Sequence, residues 1–169
     1  MKHTKKLASL LLALVMVFAL ATTAFAAKNA TISAPEGSTR TYDVYQIFTG
    51  DLHEGVLSNI EWGKNGTGTE GTAVDQTTLD ALAAVNGKSD TEKLTEIQKY
   101  VKLDSEKFGT VFNGNSLTVP TGYYLIKDNG PVNDGEAYSL YVVQVVGTTT
   151  ISPKVGTTTS DKKVKDTND

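Results

Sequence analysis

The sequence predicts a mainly β domain, a two-layer sandwich carrying a short two-helix insertion, placed behind an export signal. Three observations lead there. Residues 27–147 are rich in β-branched and aromatic side chains punctuated by Gly, Asn and Asp, the composition of short strands and tight turns. Apolar residues adopt helical spacing only in the middle of the chain, between residues 75 and 101. Residues 1–26 have the layout of a secretory signal.

The strands are read from alternation. Residues 41–49 set Tyr42, Val44, Gln46 and Phe48 against Asp43, Tyr45 and Ile47, so at least one aromatic-rich face is buried. Residues 117–119 and 122–127 read as strands interrupted at Pro120, and residues 137–146 form the strongest strand pattern in the chain. Asn65-Gly66, Asn113-Gly114, Asn129-Gly130 and Asp134-Gly135 mark turns, because these residues reach positive φ at low cost. The Asn113-Gly114 pair, between Val111-Phe112 and Leu117, predicts a hairpin. Residues 63–68 are Gly-rich, but they lack the Gly-Lys-Ser/Thr ending and following helix of a phosphate-binding loop, and read as a surface loop.

The helices are read from period and caps. Leu79, Leu82 and Val85 follow Asp75, and Asn86-Gly87 supplies a stop. Ser89 with Glu92 three residues later forms a capping box, and Leu94, Ile97 and Val101 make one apolar stripe. Both helices are short and mostly polar. They are expected to pack against one side or end of the sandwich, without a core of their own.

The signal has Lys2, Lys5 and Lys6 at its start, an apolar run over residues 7–20 and the small-x-small site Ala24-Phe25-Ala26. The run falls short of the about 20 apolar residues a spanning helix needs, so cleavage between Ala26 and Ala27 is expected. The remainder of the 169-residue chain then has 13 basic against 19 acidic side chains, a formal charge of −6, with Arg40 its one arginine. That balance argues against nucleic acid and against anionic lipid as partners. No cysteine is present, which excludes thiolate catalysis, zinc–thiolate sites and disulfides. Stability must come from the apolar core or from another covalent staple.

Few residues are candidates for catalytic chemistry. His53, the one histidine after the signal, lies in Gly50-Asp51-Leu52-His53-Glu54-Gly55. Asp51, His53 and Glu54 would serve as a metal site or an oriented base, but two flanking glycines make a polar turn between strands the simpler reading. No catalytic residue, metal or cofactor is assigned.

Four stretches together resemble the N-terminal domain of Gram-positive, sortase-assembled backbone pilins, the isopeptide-forming fimbrial proteins. Tyr42-Asp43-Val44-Tyr45-Gln46-Ile47-Phe48 is similar to the family's early strand. Gly50-Asp51-Leu52 with Leu57-Ser58-Asn59-Ile60-Glu61-Trp62-Gly63 is similar to the hairpin after it. Gly122-Tyr123-Tyr124-Leu125-Ile126 resembles the Gly-Tyr-Tyr-Leu strand shared with the B-type domains of collagen-binding adhesins. Ile151-Ser152-Pro153-Lys154, a Thr-rich link and Asp161-Lys162-Lys163-Val164 resemble the domain's exit and the first strand of the next domain. Read without the resemblance, Tyr45, Phe48, Trp62, Tyr124 and Leu125 are bulky groups that a two-layer sandwich buries.

The resemblance implies an Ig-like (CnaB-type) β-sandwich over residues 27–152, a linker over 153–160 and the start of a truncated second domain over 161–169. It implies a cell-wall-associated surface protein whose subunits are joined head to tail, with other pilin subunits and a class C-type sortase as partners. The sortase holds one subunit's C-terminal Thr as a thioester, and a lysine amine of the next subunit attacks it. Lys154 is the expected acceptor amine, although Ser152 stands where the family usually has a Tyr or other hydrophobic residue; a solvated linker lysine is the plainer reading. The chain has no sorting signal of the LPxTG kind, as a fragment or a truncated product would.

Related domains carry an internal Lys–Asn isopeptide bond. Here the early strand has Gln46, no lysine lies between Lys28 and Lys64, and the last strand has no Asn or Asp. No such bond is therefore expected in this domain, and Lys162 or Lys163 is the candidate donor for the following one. The alternative function is an adhesin stalk or ligand-binding module of the same sandwich class, in which the loop over residues 63–73 contacts host surface ligands.

Overall fold

The structure, a computed structural model, describes residues 29–129 and 140–151. The signal, the Asp134-Gly135 turn, the linker and the segment beyond it lie outside the described residues. The described chain is mainly β, with two sheets arranged as a sandwich and two short helices. In order it forms β1 (Asn29–Ser33), β2 (Thr41–His53), β3 (Val56–Trp62), α1 (Gln76–Ala84), α2 (Asp90–Gln98), β4 (Gly109–Phe112), β5 (Ser116–Pro120), β6 (Gly122–Asp128), β7 (Leu140–Val145) and β8 (Thr148–Thr150).

The long strand β2 organises the larger sheet, whose order is β3-β2-β6-β7 with β4 also on β2. One edge of β2 pairs with β6; the other is shared end to end by β4, at Thr41 to Val44, and β3, at Phe48 to His53. The gap between β4 and β3 is closed by the Gly-rich loop, whose Gly63 and Asn65 amides donate to Ile47 O and Gln46 O at 2.8 Å each. The smaller sheet has order β5-β1-β8, antiparallel between β1 and β5 and parallel between β1 and β8.

Each face of the larger sheet is buried by a different partner. Tyr42, Val44, Tyr124 and Ile126 pack with Ile32, Val119 and Ile151 of the smaller sheet side. Tyr45, Ile47, Tyr123 and Leu125 pack with Leu82, Leu94, Ile97 and Val101 of the helical segment. The helices thus cover one face of the sandwich, as their single apolar stripes require. Both caps form: Asp75 accepts from the Thr78 amide, and Ser89 and Glu92 make the reciprocal capping box.

The structure departs from the sequence expectations at several points. Strict alternation would put Phe48 with Tyr42 and Val44, but a register shift between Gln46 and Phe48 moves it to the helix-covered face, as an extra residue in one strand must. The Asn113-Gly114 turn is present, with φ of 40° and 74°, yet β4 pairs with β2 and β5 with β1, so the turn links two sheets and closes no hairpin ladder. The strand break falls at Thr121, after Pro120, where the chain passes from the smaller to the larger sheet; Thr121 Oγ1 donates to Gly50 O and the Gly50 amide donates to Thr121 O. Residues 148–150 form β8, just beyond the span of 27–147 whose composition reads as strands and turns. Threonine is β-branched and suits a strand when an edge is available, and β1 offers one.

The bulge also explains the glycine of the Gly122-Tyr123-Tyr124-Leu125-Ile126 stretch. A Cβ at Gly122 would lie 2.1 Å from Phe48 O, backbone that is held by the ladder on both sides. Gly122→Ala should therefore destabilise the domain by about 2 kcal/mol. A urea midpoint equal to that of the wild type would show that the bulge relaxes freely.

Candidate functional site

The residues singled out for assembly, Lys154, Lys162 and Lys163, and the cleavage pair Ala26 and Ala27, all lie outside the described residues. What the structure fixes is the point from which that tail leaves. Ile151 is buried, and its amide donates to Ser33 O at 2.9 Å, continuing the β8 pairing to β1. The chain is therefore anchored to the core three residues before Lys154.

The His53 region is a turn. Glu54 and Gly55, both at positive φ (48° and 80°), join β2 to β3 as a two-residue connection, the geometry that matches strand twist. Asp51 is occupied by the Asn59 side chain, which donates to it at 2.9 Å. Among the described residues no group of three or more His, Cys, Asp or Glu is placed to hold a metal ion.

The Gly-rich loop is not the surface loop its composition suggested. Gly63, Asn65 and Gly66 are buried, and a Cβ at Gly68 would sit 2.2 Å from the Trp62 indole nitrogen. The loop is a clasp laid over Trp62, which also touches Phe48 at 5.2 Å between centroids. Asn65 is its pin: Oδ1 accepts from the Gln46 amide, and Nδ2 donates to Ser105 Oγ and Glu106 O. Residues 69–73, by contrast, remain exposed.

Gln46, buried on β2, lies at the centre of a neutral hydrogen-bond network. Gln46 Nε2 donates to Tyr124 Oη at 2.9 Å, Oε1 accepts from the Lys64 amide, and Tyr124 Oη donates to Pro120 O. Burial pushes the Tyr124 phenol up, so it stays neutral and serves as donor and acceptor together.

Sequence reasoning missed the cluster richest in chemistry. Asp43, 6% exposed, lies on β2 between β4 and β6. Its Oδ1 accepts from Lys107 Nζ at 2.7 Å and from Thr110 Oγ1 at 3.0 Å, and its Oδ2 accepts from Asn129 Nδ2. Burial acts to raise the Asp43 pKa, but the bonds from Lys107, Asn129 and Thr110, with the lysine charge, outweigh it and hold the carboxyl below its ordinary value. Beside it Arg40 and Asp128 form a second ion pair at 2.6 Å. An amine, a carboxamide and a carboxylate thus meet at one point. Lys107 comes from the loop before β4 and Asn129 from the residue after β6, and no sequence spacing linked them to Asp43.

No family model matches the chain, and no curated protein matches it significantly.

Proposed function

We propose that this protein is a structural shaft subunit of a covalently assembled cell-surface pilus, built on an Ig-like sandwich of the CnaB type, with Lys154 as the amine that accepts the next subunit. The observation that supports this best is the exit geometry. Among the described residues the chain is paired to β1 through β8 and held at the buried Ile151, three residues ahead of Lys154 in sequence. A nucleophile presented to an enzyme needs a fixed base close by, and three residues span at most about 10 Å. Two of the four stretches that carry the resemblance, around Tyr42 to Phe48 and Gly122 to Ile126, are paired to each other at the centre of the larger sheet.

The amine attacks the sortase-bound threonyl carbonyl, displacing the enzyme thiolate and leaving an amide between subunits. Protease digestion of fibres isolated from the native host tests the reading. A branched peptide joining Lys154 Nζ to a C-terminal threonine is the expected product. Fibres that lack this chain, or that join it through other residues only, would refute the assignment.

A further inference from the structure

We propose that the larger sheet carries a binding site for an acidic sugar at the end nearest the β4–β5 turn, built from Phe112, Thr110, Lys107, Lys127 and Asn129 around the Asp43 carboxylate. The site uses neither Lys154 nor the exposed residues 69–73, so it stands or falls apart from the proposed assembly.

The site follows from strand register. Asp43 has Thr110 opposite it on β4 and Lys127 opposite it on β6. Thr41, two residues earlier on β2, has Phe112 opposite it on β4, and on the other side its carbonyl accepts from the Asn129 amide. Opposite and alternate residues share a face. These side chains therefore form two rows on one surface, about 10 Å across the strands and about 7 Å along them, the footprint of one sugar ring with its substituents. Further along, the same face runs through Tyr45 and Leu125 and is covered by the helical segment. At this end Phe112 is half exposed, the one large apolar side chain so exposed among the described residues.

Each group offers what a sugar requires. The face of the Phe112 ring carries partial negative charge and meets the C–H bonds of a pyranose, whose hydrogens are partially positive. The buried Asp43 carboxylate accepts from Lys107, Thr110 and Asn129 and so fixes these three side chains in place. Each keeps hydrogen-bonding capacity beyond that contact: two further N–H bonds on the ammonium, a hydroxyl lone pair, and the carboxamide oxygen. Ligand hydroxyls thus meet groups already held in position, which lowers the entropy lost on binding.

Charge selects an acid over a neutral sugar. On this face two ammonium groups, Lys107 and Lys127, stand against the single Asp43 carboxylate. Asp128 lies on the opposite face, beside Tyr42, and is paired with Arg40. The surface is locally positive on an exported chain whose formal charge is −6, and a ring carboxylate placed between the two lysines answers that surplus.

The test is an NMR titration of the full exported chain with oligosaccharides ending in glucuronic, galacturonic or sialic acid, each beside its neutral counterpart. At least one acidic sugar should shift the resonances of Thr110, Phe112, Lys127 and Asn129 together, and bind severalfold more tightly than the neutral form. Phe112→Ala should weaken both about fivefold with an unchanged circular-dichroism spectrum, since it removes an exposed stacking surface and no core contact. Lys127→Gln should remove the preference for the acid and leave the neutral sugar bound as before. Acidic sugars that leave these resonances unmoved at millimolar concentration overturn the proposal, as does Phe112→Ala binding as well as the wild type. Sodium sulfate that reproduces the shifts at the same concentration would reveal a simple anion site and overturn it too.

Discussion

Lys154→Arg abolishes the high-mass ladder on denaturing gels when the protein is expressed with its cognate sortase, while the monomer folds as before. The expectation follows from the chemistry of the side chains. An exposed lysine has a pKa of about 10.4, so at neutral pH a small neutral fraction exists and the enzyme site can draw on it. Arginine keeps the positive charge and most of the length, but its guanidinium stays protonated above about pH 12 and is a poor nucleophile. Lys154 lies three residues beyond Ile151, the last of the described residues and a buried one, and the exchange is expected to leave the fold intact. The loss should be complete, and thermal unfolding of the monomer should shift by no more than a surface substitution allows, about 0.5 kcal/mol. A ladder that survives Lys154→Arg and disappears in Lys162→Arg or Lys163→Arg would reassign the amine to the following segment.

Asn65→Ala should destabilise the domain more than the loss of any other polar side chain in the Gly-rich clasp. Asn65 is fully buried, and its side chain does for β2 what a strand would do, accepting from the Gln46 amide in the gap between β3 and β4. Its other end holds Glu106 O and Ser105 Oγ. Truncation leaves a buried amide and a carbonyl without these partners, each costing about 1–3 kcal/mol. A total near 4 kcal/mol is expected, read as a lower urea midpoint at unchanged slope. Ser105→Ala is the internal control. It removes one contact from Asn65 and leaves the bonds to Gln46 and Glu106, so its cost should stay below about 1 kcal/mol. Equal effects from the two substitutions would mean that Asn65 is no pin, and that the Gly-rich clasp is held by the packing of Trp62 alone.

Local signals were legible where a few neighbouring residues settle the matter. The Ser89 and Glu92 capping box, the Asp75 cap and the Leu94 and Ile97 part of the stripe form as read, because caps and helical stripes are decided within one or two turns, whereas Val101 packs with them from beyond the end of α2, in a β-bridge to Gly66. Residues 41–49 and 122–127 were legible as strands because their apolar content leaves no other low-energy placement. The core aromatics Tyr45, Phe48, Trp62 and Tyr124 are buried as expected from their size.

By itself, then, the sequence determined the β-rich class, the helical insertion and the bulky core, since these depend on local periodicity and on the apolar area available to leave water. Only the tertiary structure decided which sheet each strand joined, and it separated β4 from β5 although a good turn connects them. It placed the bulge that turns Phe48 to the helix-covered face, and it made a strand of a threonine run by offering it the edge of β1. It alone brought Lys107 and Asn129 to Asp43. Pairing partners and side-chain clusters are long-range choices among many edges and faces of similar intrinsic preference, and the free energy that selects among them comes from packing the whole domain at once.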